Sequence, residues 1–378
     1  MSEFHISSQF DSGNIQVVKA DSVEDIVLTI KKDNQSDFYQ WFHFRLVTQP
    51  FIAHKIKLTE LANSAYPGGW ENYGVVASYD RQTWFRIESE FDGDTLSFEF
   101  NPEYPSIYFA YFAPYSYERH LDLIADAQMS SLCTHTLLGE TLDGRDMSLL
   151  VIGEPSEDKL NVWVTARQHP GETMAQWCAE GLISRLLDDE DGVARRCLDK
   201  ATFYVVPNMN PDGGARGHLR TNAAGVNLNR EWANPSMEKS PEVALVLAAM
   251  DDIGVDMYLD LHGDEALPYN FVAGAEGNPE YSERIAALES KFKTALLTIT
   301  PEFQDEYGYS KDKPGEADMR VACNAVGQRF DCLSYTFEMP FKDNANLPDP
   351  VYGWSVPRCQ RLGEDILSAV GCVLPFLR

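Results

Sequence analysis

The apolar pattern changes period near residue 120, and that change limits the folds open to the chain more than any other feature. Before it lie short aromatic segments with partial alternation: Phe38–Leu46, Thr83–Ile87, Thr95–Phe100 and Ser106–Phe112. Turn signals at Pro67–Gly69 and Asp92–Asp94 separate them. Aromatic and β-branched runs spaced by turns predict an antiparallel β-sandwich with the rings as its core. From about residue 125, strand-like runs (Ser148–Ile152, Asn161–Thr165, Ala201–Val206, Asp256–Leu261) alternate with helical stretches at Glu172–Leu187 and Pro241–Asp252. A last helix is expected over Cys359–Leu374. Such alternation predicts an α/β unit whose mixed, mostly parallel sheet is flanked by helices. The expected division is a β-sandwich domain over 1–122 and an α/β domain over 123–378.

Composition removes some partners. With 31 Lys+Arg against 58 Asp+Glu, the net charge of −27 argues against a nucleic-acid or anionic-membrane binder, which needs a basic surface. The 7 cysteines never form a CxxC pair and read as reduced thiols. The first residues lack a signal-peptide pattern, and no apolar run approaches the ~20 residues of a membrane span, so a cytoplasmic location is expected.

The chemistry lies in the residues just beyond the strand-like runs. After Asn161–Thr165 come His169 and Glu172, separated by Pro170 and Gly171 at the turn from strand to helix. After Asp256–Leu261 comes His262. Two imidazoles and a carboxylate delivered at strand ends match a catalytic zinc site with one position left open. Spacing alone leaves the bland alternatives standing, since HxxE arises by chance and a histidine after a strand can be an ordinary polar residue. The segment Pro207–Trp232 reads as a solvated loop with turn chemistry, or as a carboxylate clamp built on its arginines. Glu338 ends another strand-like run and could act as a general base or be surface charge.

Taken together and in order, His169–Glu172, Asn210–Gly213, Arg220, Asn229–Arg230, Leu261–Gly263 and Phe337–Met339 resemble the motifs of the zinc metallocarboxypeptidases related to carboxypeptidase A. Gln40–Arg45 and Ala113–Tyr117 are similar to the β-domain of the cytosolic carboxypeptidase branch. The resemblance implies the zinc carboxypeptidase fold for the second domain and one Zn²⁺ held by His169, Glu172 and His262. It implies removal of C-terminal residues from peptides or proteins by Glu338-assisted attack of zinc-bound water. Arg220 would stabilise the oxyanion, and Asn229 with Arg230 would hold the terminal carboxylate. Arg320 is similar to a basic residue of that branch and implies a preference for acidic terminal side chains. A zinc deacylase of N-acyl amino acids is the alternative activity for the same set. Tyr307 and Tyr309 receive no role. Asp260 and Asp264 are both candidates to orient an imidazole. His218 is a candidate neighbour of the site, and His5, His43, His54, His120 and His135 are expected to be structural.

Overall fold

A computed structural model describes residues 4–378. The first part is mainly strand, with short 3-10 turns at Leu61–Asn63 and Pro67–Trp70: β1 (Phe4–Ser7), β2 (Gln16–Ala20), β3 (Ile26–Thr29), β4 (His43–Thr48), β5 (His54–Leu58), β6 (Val75–Ser78), β7 (Phe85–Ile87), β8 (Glu90–Phe91), β9 (Leu96–Phe100) and β10 (Ser106–Ala110). They form two five-stranded sheets, β1-β4-β10-β6-β7 and β2-β3-β5-β9-β8. The aromatic runs pack between them, with Phe44, Phe98 and Phe100 each in ring contact with Phe109. Two details depart from expectation. One ladder, β3 with β5, is parallel. The aromatic run expected from Phe38 enters strand only at His43, because Gln40 folds back to bond the backbone of Tyr66.

The second part begins with α1 (Tyr117–Gln128) and continues through β11 (Cys133–Glu140), β12 (Asp146–Ile152), β13 (Leu160–Ala166), α2 (Thr173–Leu186), α3 (Gly192–Leu198), β14 (Ala201–Val206), α4 (Pro211–Arg216), α5 (Pro241–Ile253), β15 (Met257–Asp264), β16 (Phe271–Ala273), α6 (Glu283–Ile299), α7 (Ala322–Phe330), β17 (Leu333–Pro340) and α8 (Val356–Val373). Its sheet runs β11-β12-β14-β13-β15-β17-β16. The central strands β14, β13, β15 and β17 are parallel, and the flanking strands pair antiparallel. Strands covered on both faces need apolar side chains on both, which is why β14 and β17 are buried throughout.

On one face, α2 packs against α8 through reciprocal close approaches. A Cβ at Gly181 would stand 2.0 Å from Gln360 O, and one at Gly363 would stand 2.0 Å from Cys178 O. Only hydrogen at both positions lets the two backbones come this near. All seven cysteines are unpaired. No helix among the described residues is long and apolar enough to cross a membrane.

Candidate metal centre and active site

The site forms where β13, β15 and β17 end. His169 follows β13 on a turn whose first residue, Arg167, holds a left-handed φ of 61°. Such a conformation is costly for a residue other than glycine and persists only when its surroundings impose it. Here the buried Arg167 guanidinium donates to Pro170 O, Tyr115 O and Gln176 Oε1, which locks the turn. Glu172 is the N-cap residue of α2, so its carboxylate sits at the positive end of the helix. His262 lies within β15 rather than beyond it, since the strand extends to Asp264.

His169, Glu172 and His262 are buried, and one ligand atom of each lies within 4.8 Å of the others. His169 Nδ1 stands 2.7 Å from Glu172 Oε1, and His262 Nδ1 stands 2.8 Å from Oε2. The outer nitrogens are occupied. His262 Nε2 lies 2.8 Å from Asp260 Oδ2, whose carboxylate also accepts from Gln168 Nε2 and Thr165 Oγ1. His169 Nε2 lies 3.0 Å from Asn227 Oδ1, and that oxygen is identified as the acceptor because it also receives Asn229 N–H. The Nε2 side of each imidazole is thus engaged outward, so that Nδ1 of each would be the atom offered to a metal. Burial alone would raise the Glu172 carboxyl, but the two imidazoles outweigh it and hold it below the ordinary range. Burial, reinforced by the Arg220 cation, pushes His169 down to about 4. Against the burial that opposes it, Asp260 and Glu172 hold His262 well above the ordinary imidazole range, a positive charge that a divalent cation would replace. Two inward Nδ1 atoms and an ionised carboxylate fit such a cation, and zinc in particular.

Glu338 sits beside this set, paired in register with His262 across the β15–β17 ladder. Its Oε1 lies 3.1 Å from the Tyr309 hydroxyl, while its buried Oε2 meets no protein partner. Burial pushes the Glu338 carboxyl up to about 8, against the pull of His262. Tyr309 also reaches Asp264 Oδ2 at 2.7 Å, so its single proton serves one of two carboxylates at a time.

A cavity of about 650 Å³ opens over these groups, and Arg220, Asn229 and Arg230 line it. Among the described residues, neither arginine forms an ion pair. The Arg220 guanidinium stands over the rings of Phe38 and Tyr66, and Arg230 Nη1 donates only to Asn229 O. Burial and the nearby Arg220 cation lower the Arg230 guanidinium, and the more distant Asp318 carboxylate only partly offsets them. Asn229 Oδ1 accepts from Ala322 N–H at the start of α7.

Arg320 is not brought into the cavity. It is exposed and paired in bidentate fashion with Asp318. His218 is buried between Thr221 O and Asn34 N–H, a structural position. Of the two acids flanking His262, Asp260 orients it, and Asp264 instead accepts from Ala266 and Leu267 N–H and from Tyr309. The Asn210–Gly213 motif is a helix start, with Asn210 Oδ1 capping α4 through Gly213 N–H. Sequence reasoning gave no role to Asn227, Gln168 or Tyr309. Asn227 and Gln168 fall inside or beside recognisable motifs, but Tyr309 lies 29 residues before Glu338 on a segment without periodic pattern.

Comparisons with known proteins show the family. The family model of the cytosolic carboxypeptidase N-terminal domain matches residues 6–112, and that of zinc carboxypeptidase matches residues 117–360. A metallo-carboxypeptidase from Pseudomonas aeruginosa, solved in complex with (2-guanidinoethylmercapto)succinic acid, is 47% identical with a TM-score of 0.97, covering 99% of this chain and 100% of that one. A metallo-carboxypeptidase from Burkholderia cenocepacia is 48% identical with a TM-score of 0.95, covering 97% and 98%. Cytosolic carboxypeptidase 3 of Bos taurus is 27% identical over 88% of this chain but only 36% of its own length. With both halves matched and the chain covered almost end to end, it belongs to the zinc carboxypeptidase family, and it is a metallocarboxypeptidase.

Proposed function

We propose that the protein removes single residues from the C-termini of peptides or proteins, with His169, Glu172 and His262 holding one zinc ion. The ion, when bound, supplies Lewis acidity and a water of lowered pKa. Glu338, whose raised carboxyl a bound divalent cation would draw back toward the ionised form, takes a proton from the attacking water through its unpartnered Oε2 and returns it to the leaving amine. Arg220 faces the developing oxyanion, and Asn229 and Arg230 bind the terminal carboxylate. The chain then divides into 1–122 and 123–378, with α1 bridging the division.

The observation that carries this reading is one cavity joining a three-ligand metal set, a buried carboxyl and two guanidinium groups free of counter-ions. The unpaired arginines explain why only a terminus would react. An internal peptide bond would leave Arg230 desolvated and without its anion. A preference for acidic terminal side chains would draw on Lys293 and Lys311, the other cations of the cavity wall, although each is already paired, with Asp305 and Glu276.

The test is mass spectrometry of peptides treated with zinc-loaded protein, each peptide supplied with a free and with an amidated C-terminus. Stepwise shortening of the free form alone is expected. Equal cleavage of the amidated form, or cleavage at internal bonds, would refute the carboxylate clamp.

A further inference from the structure

Arg220 belongs to the α/β part of the chain, but the carboxylate that shapes its backbone comes from the β-sandwich. Asp33, in the turn between β3 and β4, is buried, and both of its oxygens are committed to one short segment. Oδ1 accepts from Leu219 N–H at 2.7 Å. Oδ2 accepts from Arg220 N–H at 2.8 Å, from Thr221 N–H at 2.9 Å and from the Thr221 hydroxyl at 3.1 Å. Three consecutive amides converging on one carboxylate fix the peptide planes on both sides of Arg220 with charge-assisted bonds.

The same turn adds Asn34, whose N–H donates to His218 Nε2 and whose Nδ2 donates to Ala223 O. Two rings of the β-sandwich part, Phe38 and Tyr66, then stand 5.6 and 5.4 Å from the Arg220 guanidinium carbon. Cation–π contact of this kind holds a guanidinium without consuming its donors. The donors stay free for substrate oxygen, which an ion pair would have prevented.

We propose that Asp33 is a positioning residue for the reaction, presenting Arg220 to the cavity, with Phe38 and Tyr66 confining its guanidinium. The β-sandwich is then part of the catalytic apparatus and not only an appended domain. This rests on the reading of Arg220 given above.

The experiment is a double-mutant cycle on the zinc-loaded full chain, with kcat, KM, zinc content and Tm measured for each variant. Displacing a catalytic group by about 1 Å can cost on the order of 10²-fold, so Asp33→Ala is expected to lower kcat by about that factor with KM little changed. Asp33→Asn, which keeps the shape and one acceptor oxygen, gives a smaller loss and carries the test should D33A fold poorly. Phe38→Leu, which removes one wall from the guanidinium, is expected to act in the same direction. In an Arg220→Gln background neither D33N nor F38L lowers kcat further, because the group they position is gone.

Additive losses in that background would overturn the proposal. So would a D33N protein with lowered Tm but intact kcat. A fall in zinc content would overturn it too, because Asp33 would then be acting on the metal turn, which touches this segment where Gly171 N–H donates to Leu219 O. If R220Q by itself leaves kcat unchanged, the role of Arg220 is what fails, and the cycle shows this separately.

Discussion

Glu338 stands directly across the parallel β15–β17 ladder from His262. Paired residues on adjacent parallel strands point to the same side of the sheet and lie about 4.8 Å apart along the hydrogen-bonding direction. Backbone register alone therefore delivers a candidate base beside a candidate metal ligand. Side-chain bonds are needed only for the final aim, which Asp260 supplies to His262 and Tyr309 to Glu338.

Replacing Glu338 by Gln should lower kcat by about 10²–10⁴-fold, the usual contribution of a positioned acid–base group. Glu338 is not among the converging ligand atoms, so zinc content should not change. Steady-state kinetics beside metal analysis checks both halves, and substantial turnover by E338Q would remove Glu338 from the role.

Asp260 receives His262 Nε2, so Asp260→Asn should weaken zinc binding by about 10- to 100-fold. The amide can present its NH₂ group to the ring and favour the wrong tautomer. Competition with a chelator of known affinity measures the effect, and unaltered affinity would count against Asp260 as the orienting group.

Arg320 and Asp318 form an exposed pair, which solvent screens so that it adds little to stability. Arg320→Ala should therefore leave both Tm and the ranking of C-terminal residues by kcat/KM nearly unchanged. A selective loss of activity on C-terminal Glu would show that Arg320 reaches the substrate after all.

Stability should fall as the pH rises past Glu242, a buried residue in the first turn of α5. Burial pushes its carboxyl up from an ordinary 4.5 to about 7. Between these values the folded state holds the proton more tightly than the unfolded state, so raising the pH across the interval costs stability. The folded state carries no penalty below about 4.5, and the loss is complete above about 7. It amounts to roughly 3 kcal/mol at about 1.36 kcal/mol per pH unit. Glu242→Gln has no such titration, so its stability relative to the parent should rise across the interval. Denaturant midpoints at several pH values decide this, and parallel curves for the two proteins would disprove it.

The α2–α8 contact gives a prediction on packing. A methyl group at Gly363 would overlap Cys178 O, so Gly363→Ala should destabilise the fold by about 1–3 kcal/mol through overpacking. Thermal melts measure this, and an unchanged Tm would show that the helices can separate without cost.

Much of this architecture is legible in the sequence, because periodicity is a local property. Ala201–Val206 forms a strand over the residues its apolar run marks, and the helices expected at Glu172, Pro241 and Cys359 start within a few residues of those positions. Boundaries slip where a tertiary contact intervenes, as when Gln40 holds its segment out of β4 and when β15 runs on through His262. The candidate metal ligands could be named because two of them flank one turn, the third follows an apolar run, and the motifs in order resemble those of a known family.

What the sequence by itself determined is the order of elements and the candidate ligands, since both depend on spacing along the chain. Whether a charged residue meets the cavity or the solvent is decided by packing between segments far apart in sequence. Arg220 and Arg320 look equally available in the sequence. The fold sets Arg220 between Phe38 and Tyr66 over the cavity and leaves Arg320 in water beside Asp318. The physical reason is that the partners deciding each position, Asp33 for one backbone and Asp318 for the other side chain, lie 187 and 2 residues away. Only the short separation is visible before the chain folds.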